Sequence, residues 1–109
     1  MIVVRTTLNV LPEKQMEVLQ TLLSLIESVG EEPGCKSYCA FCAINDKSRF
    51  MLLEEWETQK DLDRHIQTNR FGVLLGTKTL LCEPPQIQIH TVSQTRGMET
   101  VHAVRQKKS

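Results

Sequence analysis

From Ser48 to Trp56 the chain alternates Phe50, Leu52, Glu54 and Trp56 with Arg49, Met51, Leu53 and Glu55, the period of two expected of a strand with two different faces. An earlier run, Val3 to Val10, has the same period. It places Val4, Thr6, Leu8 and Val10 on one face and Val3, Arg5, Thr7 and Asn9 on the other, and its β-branched residues favour a strand. Between these runs the period changes. Pro12 marks a helix start, and Met16, Leu19, Leu22, Leu23, Ile26 and Val29 form a helical stripe that stops at Gly30. After the turn Glu31-Glu32-Pro33-Gly34, Cys35 to Ile44 reads as a second strand, joined to the third through Asn45-Asp46-Lys47-Ser48.

Thr58 followed by Asp61 is a helix-start signal: a side-chain oxygen for the free amides and a carboxylate near the positive end of the dipole. In the helix that follows, Leu62, His65, Ile66 and Asn69 share one face at i, i+3, i+4 and i+7, which turns the imidazole toward the core. A short helical segment from Arg70 to Leu75, broken by Gly72 and Gly76, is expected to be a mobile lid. Glu83-Pro84-Pro85 ends it. Gln86 to Val92 supplies the last strand, with Ile87 and Ile89 on one face and Gln88 and His90 on the other.

The order β-α-β-β-α-β predicts an α+β, ferredoxin-like split β-α-β fold: a four-stranded antiparallel sheet with both helices on one face. The other face is left open and too apolar for a monomer, so a homodimer is expected. Residues 1–92 form the predicted domain and 93–109 an extension, partly ordered, wrapped on a partner or disordered.

Composition narrows the function classes. A chain of 109 residues suits one domain with one core. Thirteen basic and thirteen acidic residues cancel, and the basic ones are scattered except for Arg105, Lys107 and Lys108, which argues against nucleic-acid binding. No apolar run approaches the ~20 residues of a membrane span, and no charged leader precedes the opening apolar residues, so a soluble, cytoplasmic protein is expected. Of the four cysteines, Cys39 and Cys42 fall three apart in a strand and face opposite ways, unlike a redox or zinc pair. Together with Cys35 and Cys82 they are expected to be reduced and mostly buried, with no metal bound.

The pairing of the only tryptophan, Trp56, with an inward-facing His65 across a strand-to-helix junction predicts a pocket. Core packing alone would also account for both side chains, with Glu54 as the partner of the imidazole. His90 and His102 fall on polar or terminal positions and suit surface roles.

Glu32-Pro33-Gly34-Cys35, the run Phe50-x-Leu52-x-Glu54-x-Trp56 and the later His65 and Phe71, in this order and spacing, resemble the antibiotic biosynthesis monooxygenase family, including its small quinol monooxygenases, over roughly residues 1–92. The resemblance implies a dimeric α/β barrel built from two ferredoxin-like sheets, with a pocket between sheet and helices in each subunit. It implies oxidation of a small aromatic phenol or quinol by dioxygen without metal, flavin or haem. His65 would then be the catalytic proton acceptor, Trp56, Tyr38, Phe50 and Phe71 the walls, and Asn9 and Thr6 the groups that orient a substrate oxygen.

Haem-degrading relatives use a histidine ligand supported by asparagine and tryptophan. At the corresponding places this chain has Leu75, Thr6 and His65, which disfavours haem degradation. Another relative isomerises phosphorylated sugars, but Arg49, Arg64 and Arg70 are too scattered for a phosphate site. A non-catalytic dimeric ligand-binding or stress-response module is the alternative from another class.

Overall fold

The computed structural model describes residues 1–107. Four strands, β1 (Ile2–Asn9), β2 (Cys35–Ala43), β3 (Asp46–Trp56) and β4 (Gln86–Thr91), form one sheet in the order β2-β3-β1-β4, with every pair antiparallel. Helix α1 (Gln15–Val29) follows a 3-10 turn at Pro12–Lys14. Helices α2 (Gln59–Ile66) and α3 (Asn69–Gly76) follow β3, and α4 (Met98–Gln106) follows β4. This is the ferredoxin-like arrangement expected from the element order. The sheet of this chain is not closed into a barrel.

Register assigns the two faces. Val4 pairs with Glu54, Thr6 with Leu52 and Leu8 with Phe50, and these residues are buried against the helices. Arg5 pairs with Leu53 and Thr7 with Met51 on the side that no helix covers. Tyr38 pairs with Glu54 and lies on the helix side too.

Several expectations are corrected. The buried positions of α1 are Val18, Leu22, Leu25 and Val29, whereas Met16, Leu19 and Leu23 of the expected stripe are exposed. Apolar residues occupy more than half the circumference of this helix, and the sheet covers only one edge of them. The helix bearing His65 stops at Ile66, because Thr68 caps a new helix by accepting from the Phe71 amide (3.3 Å). Ile66 is therefore exposed, and Asn69 opens α3 instead of completing the face of α2. The turn between β2 and β3 is Ile44-Asn45, earlier than expected, and β3 resumes at Asp46. All four cysteines are free, but only Cys35 is half-buried; Cys39, Cys42 and Cys82 are exposed on sheet positions or loops that the helices do not cover. Gly72 and Gly76 both lie inside α3, where an added Cβ would meet nothing within 4 Å.

Helix α4 buries no residue, and its Met98, Val101 and Val104 are exposed. Residues 108 and 109 of the predicted extension lie outside the described residues.

Candidate active site

Three short segments converge at one end of the helix-covered face. The first is the loop after α1. Cys35 donates its amide to the Glu32 carbonyl (3.1 Å), closing a turn with Pro33 and Gly34 at its centre, and Gly34 adopts φ +80°. Proline at the first central position and a left-handed glycine at the second are what a type II turn requires. A Cβ at Gly34 would overlap the Asp61 carboxyl, so glycine also permits the loop to pass against the start of α2. The Gly34 carbonyl accepts from the Glu57 amide (2.8 Å), fixing loop to strand end. Glu32 is thereby held over α2.

The second segment is α2. At eight residues it is too short to persist alone in water. Thr58 Oγ1 accepts from the Asp61 amide (3.2 Å), a cap worth about 1 kcal/mol. Burial of Leu62 adds roughly 2 kcal/mol. One turn beyond Leu62, His65 is only 1% exposed. The third segment is the end of β3, where Glu54 and Trp56 are wholly inaccessible.

These segments place an imidazole in a box of rings. His65 stacks on Trp56 with centroids 4.6 Å apart at 26°, and it meets the edges of Phe71 (5.5 Å, 88°) and Tyr38 (6.2 Å, 75°). Its two nitrogens face two carboxyls. Nδ1 lies 2.9 Å from Glu32 Oε1, while Nε2 lies 3.7 Å from Glu54 Oε1, beyond hydrogen-bond length. That same Glu54 oxygen accepts from Trp56 Nε1 (3.0 Å). Arg70 Nη1 donates to Glu32 Oε2 (3.3 Å) at the outer edge. Glu32, from a loop 33 positions away, is thus the close partner of His65, in place of the expected Glu54.

Among the described residues three buried side-chain polar atoms have no partner: His65 Nε2, Glu54 Oε2 and Thr6 Oγ1. Glu54 and Thr6 sit diagonally on neighbouring strands of the same face. Burial raises the Glu54 carboxyl from 4.5 to about 7, against the Trp56 hydrogen bond that lowers it and with the Glu32 charge that raises it further. Burial, then the Glu54 and Glu32 charges, also pushes the Tyr38 hydroxyl and the Cys35 thiol upward.

The residues expected to share one pocket are divided by the fold. Trp56, His65, Tyr38 and Phe71 meet, and Thr6 faces the same side. Phe50 lies six positions from Trp56 along β3, about 20 Å, and lines an apolar groove of about 260 Å³ between α1 and β2. Asn9 projects from the opposite face. It donates to Glu83 Oε1 (2.6 Å) and accepts from Arg49 Nε (3.4 Å), beside a hollow of about 540 Å³. A third hollow, about 760 Å³, runs between α3 and Pro84-Pro85. Trp56 and His65 border none of these three; the space expected between them is filled by their own stacked rings. Among the described residues no three His, Cys, Asp or Glu side chains gather as a metal site, and no helix is long and apolar enough to cross a membrane.

The family model for antibiotic biosynthesis monooxygenase matches residues 1–74, which includes both partners of the ring stack, both carboxyls and Arg70. The chain belongs to the antibiotic biosynthesis monooxygenase family. A conserved protein from Methanosarcina mazei Go1 is 30% identical, with 82% of this chain and 89% of that one covered and a TM-score of 0.78. A protein of Caulobacter crescentus CB15 named for the same family is 25% identical (85% and 90% covered, TM-score 0.77). One from Deinococcus radiodurans, also named for it, is 17% identical and shares the fold, with a TM-score of 0.82 over 89% of this chain and 97% of that one.

Proposed function

We propose that the chain is a monooxygenase that oxidises a small aromatic phenol or quinol with dioxygen and needs no cofactor, acting as a homodimer through residues 1–92, with 93–109 as an appended segment. The observation that carries this reading is the pair of unpartnered polar atoms, His65 Nε2 and Glu54 Oε2, buried among aromatic rings. A buried polar atom without a partner is costly, so such a pair is what a site looks like before a hydroxyl arrives.

A phenol of pKa ~10 is mostly neutral near pH 7. Transfer of its proton to a buried base makes the ring electron-rich enough to reduce dioxygen. Phenol plus dioxygen then gives quinone plus water: one oxygen atom enters the ring, the other leaves as water with two hydrogens, and the substrate supplies all four electrons. The proton lent to the base returns to the peroxide before water departs. In this reading His65 is the base, Thr6 Oγ1 orients a substrate oxygen, and Trp56, Tyr38 and Phe71 form the walls. Phe50 and Asn9 stand outside it. A substrate cannot enter between rings 4.6 Å apart, so it binds at the unpartnered edge after α3, carrying Phe71, swings aside as a lid.

The dimer reading rests on the uncovered sheet face. There Val3, Met51 and Leu53 are half-buried and Phe41 is exposed, and a second copy packed on them would form the barrel.

The alternative is ligand binding without turnover, because a shared fold does not fix a reaction. Oxygen uptake with a panel of quinols and anthrones, without added cofactor, separates the two. A monooxygenase consumes oxygen and loses about 100-fold or more in His65→Ala. Unchanged turnover in that variant removes His65 as the base. A ligand that raises the melting temperature with no uptake supports the binding module.

A further inference from the structure

The polarity of the imidazole is set by residues that do not reach the reacting atoms. We propose that Glu32 is the positioning residue of the site: with Arg70 behind it, it holds the proton of neutral His65 on Nδ1, so that the Nε2 lone pair faces the substrate hydroxyl. This deepens the monooxygenase reading and rests on it for its chemistry, though not for its geometry.

Neutral imidazole carries one ring proton, and the nitrogen that bears it is set by the acceptors nearby. A carboxylate can only accept. Glu32 offers an oxygen at 2.9 Å to Nδ1, whereas the nearer oxygen of Glu54 is 3.7 Å from Nε2 and already accepts from Trp56. The short contact decides the tautomer. Glu32 is itself fixed: its backbone closes the Pro33-Gly34 turn, its amide donates to the Val29 carbonyl (3.0 Å), and its second oxygen accepts from Arg70. Arg70 is half-exposed and reaches the outer oxygen of Glu32, so it supports a carboxylate at the site's edge, on the Nδ1 side of the ring.

The titratable groups against the imidazole are Glu32 from the loop, Tyr38 from β2 and Glu54 from β3, with Cys35 of β2 near both carboxyls and Arg70 of α3 on the far oxygen of Glu32; Asp61 and Arg64 belong to its own helix and pair with each other at 3.3 Å. When a substrate hydroxyl gives its proton to Nε2, the resulting imidazolium keeps its Nδ1–H on Glu32, and the ion pair stabilises the charge. No proton needs to leave the site. It returns from Nε2 to the peroxide, and the tautomer is restored without the ring turning.

The test is the tautomer of His65, read from side-chain nitrogen and proton NMR of the full chain. His65 is distinguished from His90 and His102 by the signals lost in His65→Asn. Wild type is expected to show Nδ1–H; a ring protonated at Nε2 overturns the proposal outright. Glu32→Leu removes the acceptor and leaves Glu54 as the only carboxyl near the ring, so the proton is expected on Nε2, where it donates to Glu54. An unchanged tautomer in that variant also overturns it. Glu32→Gln retains an amide oxygen for Nδ1–H and is expected to keep the tautomer, and it serves in place of Glu32→Leu where that variant does not fold. Loss of the Nδ1–H form in the Gln variant would count against the proposal. If wild type takes up oxygen, Glu32→Leu is expected to lower kcat about 100-fold with a smaller change in KM, the size of a misdirected base. If no quinol is oxidised, the monooxygenase reading fails while the tautomer still decides the role of Glu32.

Discussion

Glu54→Gln isolates the buried carboxyl that accepts from Trp56. Gln keeps the shape of the side chain and an oxygen for Trp56 Nε1, but it cannot ionise. In the folded chain the Glu54 carboxyl is raised from 4.5 to about 7, chiefly by burial. A group whose folded value is the higher one binds its proton more tightly when folded. Its favourable contribution is therefore fully present below about pH 4.5 and is lost as pH rises through about 7. At about 1.4 kcal/mol for each pH unit between the two values, the loss is about 3 kcal/mol.

Wild type and Glu54→Gln unfolded by denaturant from pH 4 to pH 8 should therefore diverge. The variant gains about 3 kcal/mol relative to wild type over that range, and other titrating groups cancel in the difference. A native-state reporter is built in, because Trp56 is the only tryptophan and donates to the titrating carboxyl. Its fluorescence should change with a midpoint near pH 7 in wild type and stay flat there in the variant. Parallel stability curves, or a tryptophan signal that titrates identically in both proteins, would refute the assignment of a neutral buried acid to Glu54.

Two further outcomes follow from the fold. Gly34→Ala places a Cβ at φ +80° against the Asp61 carboxyl and should cost about 2 kcal/mol, seen as a melting temperature lowered by roughly 10 °C; a change under about 2 °C would mean that the loop and α2 are not held together as described. Sedimentation at micromolar concentration should give a dimer for wild type and a monomer for Leu53→Arg, which sets a charge on the uncovered sheet face; a monomeric wild type would remove the paired-sheet reading.

The parts of this molecule legible from its sequence are those fixed by neighbours in the chain. Alternation in β1 and β3 gave the correct faces because the pleat imposes a period of two regardless of what packs on it. Thr58 marked the start of α2 because a cap acts within three residues. Where the stripe was wide, as in α1, periodicity could not say which edge the sheet would cover, and Met16, Leu19 and Leu23 lie on the uncovered one. Extending the face of α2 to Asn69 failed for a local reason, since Thr68 is itself a cap and should have divided the segment.

The site was legible to the same degree. Trp56 and His65 were placed together by two periods meeting at a junction, whereas Tyr38 entered only through the family resemblance and joins them in the folded chain through strand register. The partner of the imidazole was not legible, because Glu32 reaches it across 33 positions through a turn whose geometry depends on Gly34 lying against α2. Glu54 did leave a local mark: an acid in phase with Leu52 and Trp56, on the face that period two buries. Read as a partner for His65, it supplied a reason for the histidine. In the folded chain its closer tie is to Trp56, through the same oxygen that lies 3.7 Å from His65 Nε2, and its other oxygen is left buried without a partner. An acid out of place in an apolar pattern thus marks the candidate site more directly than the aromatic residues around it, which packing alone would explain.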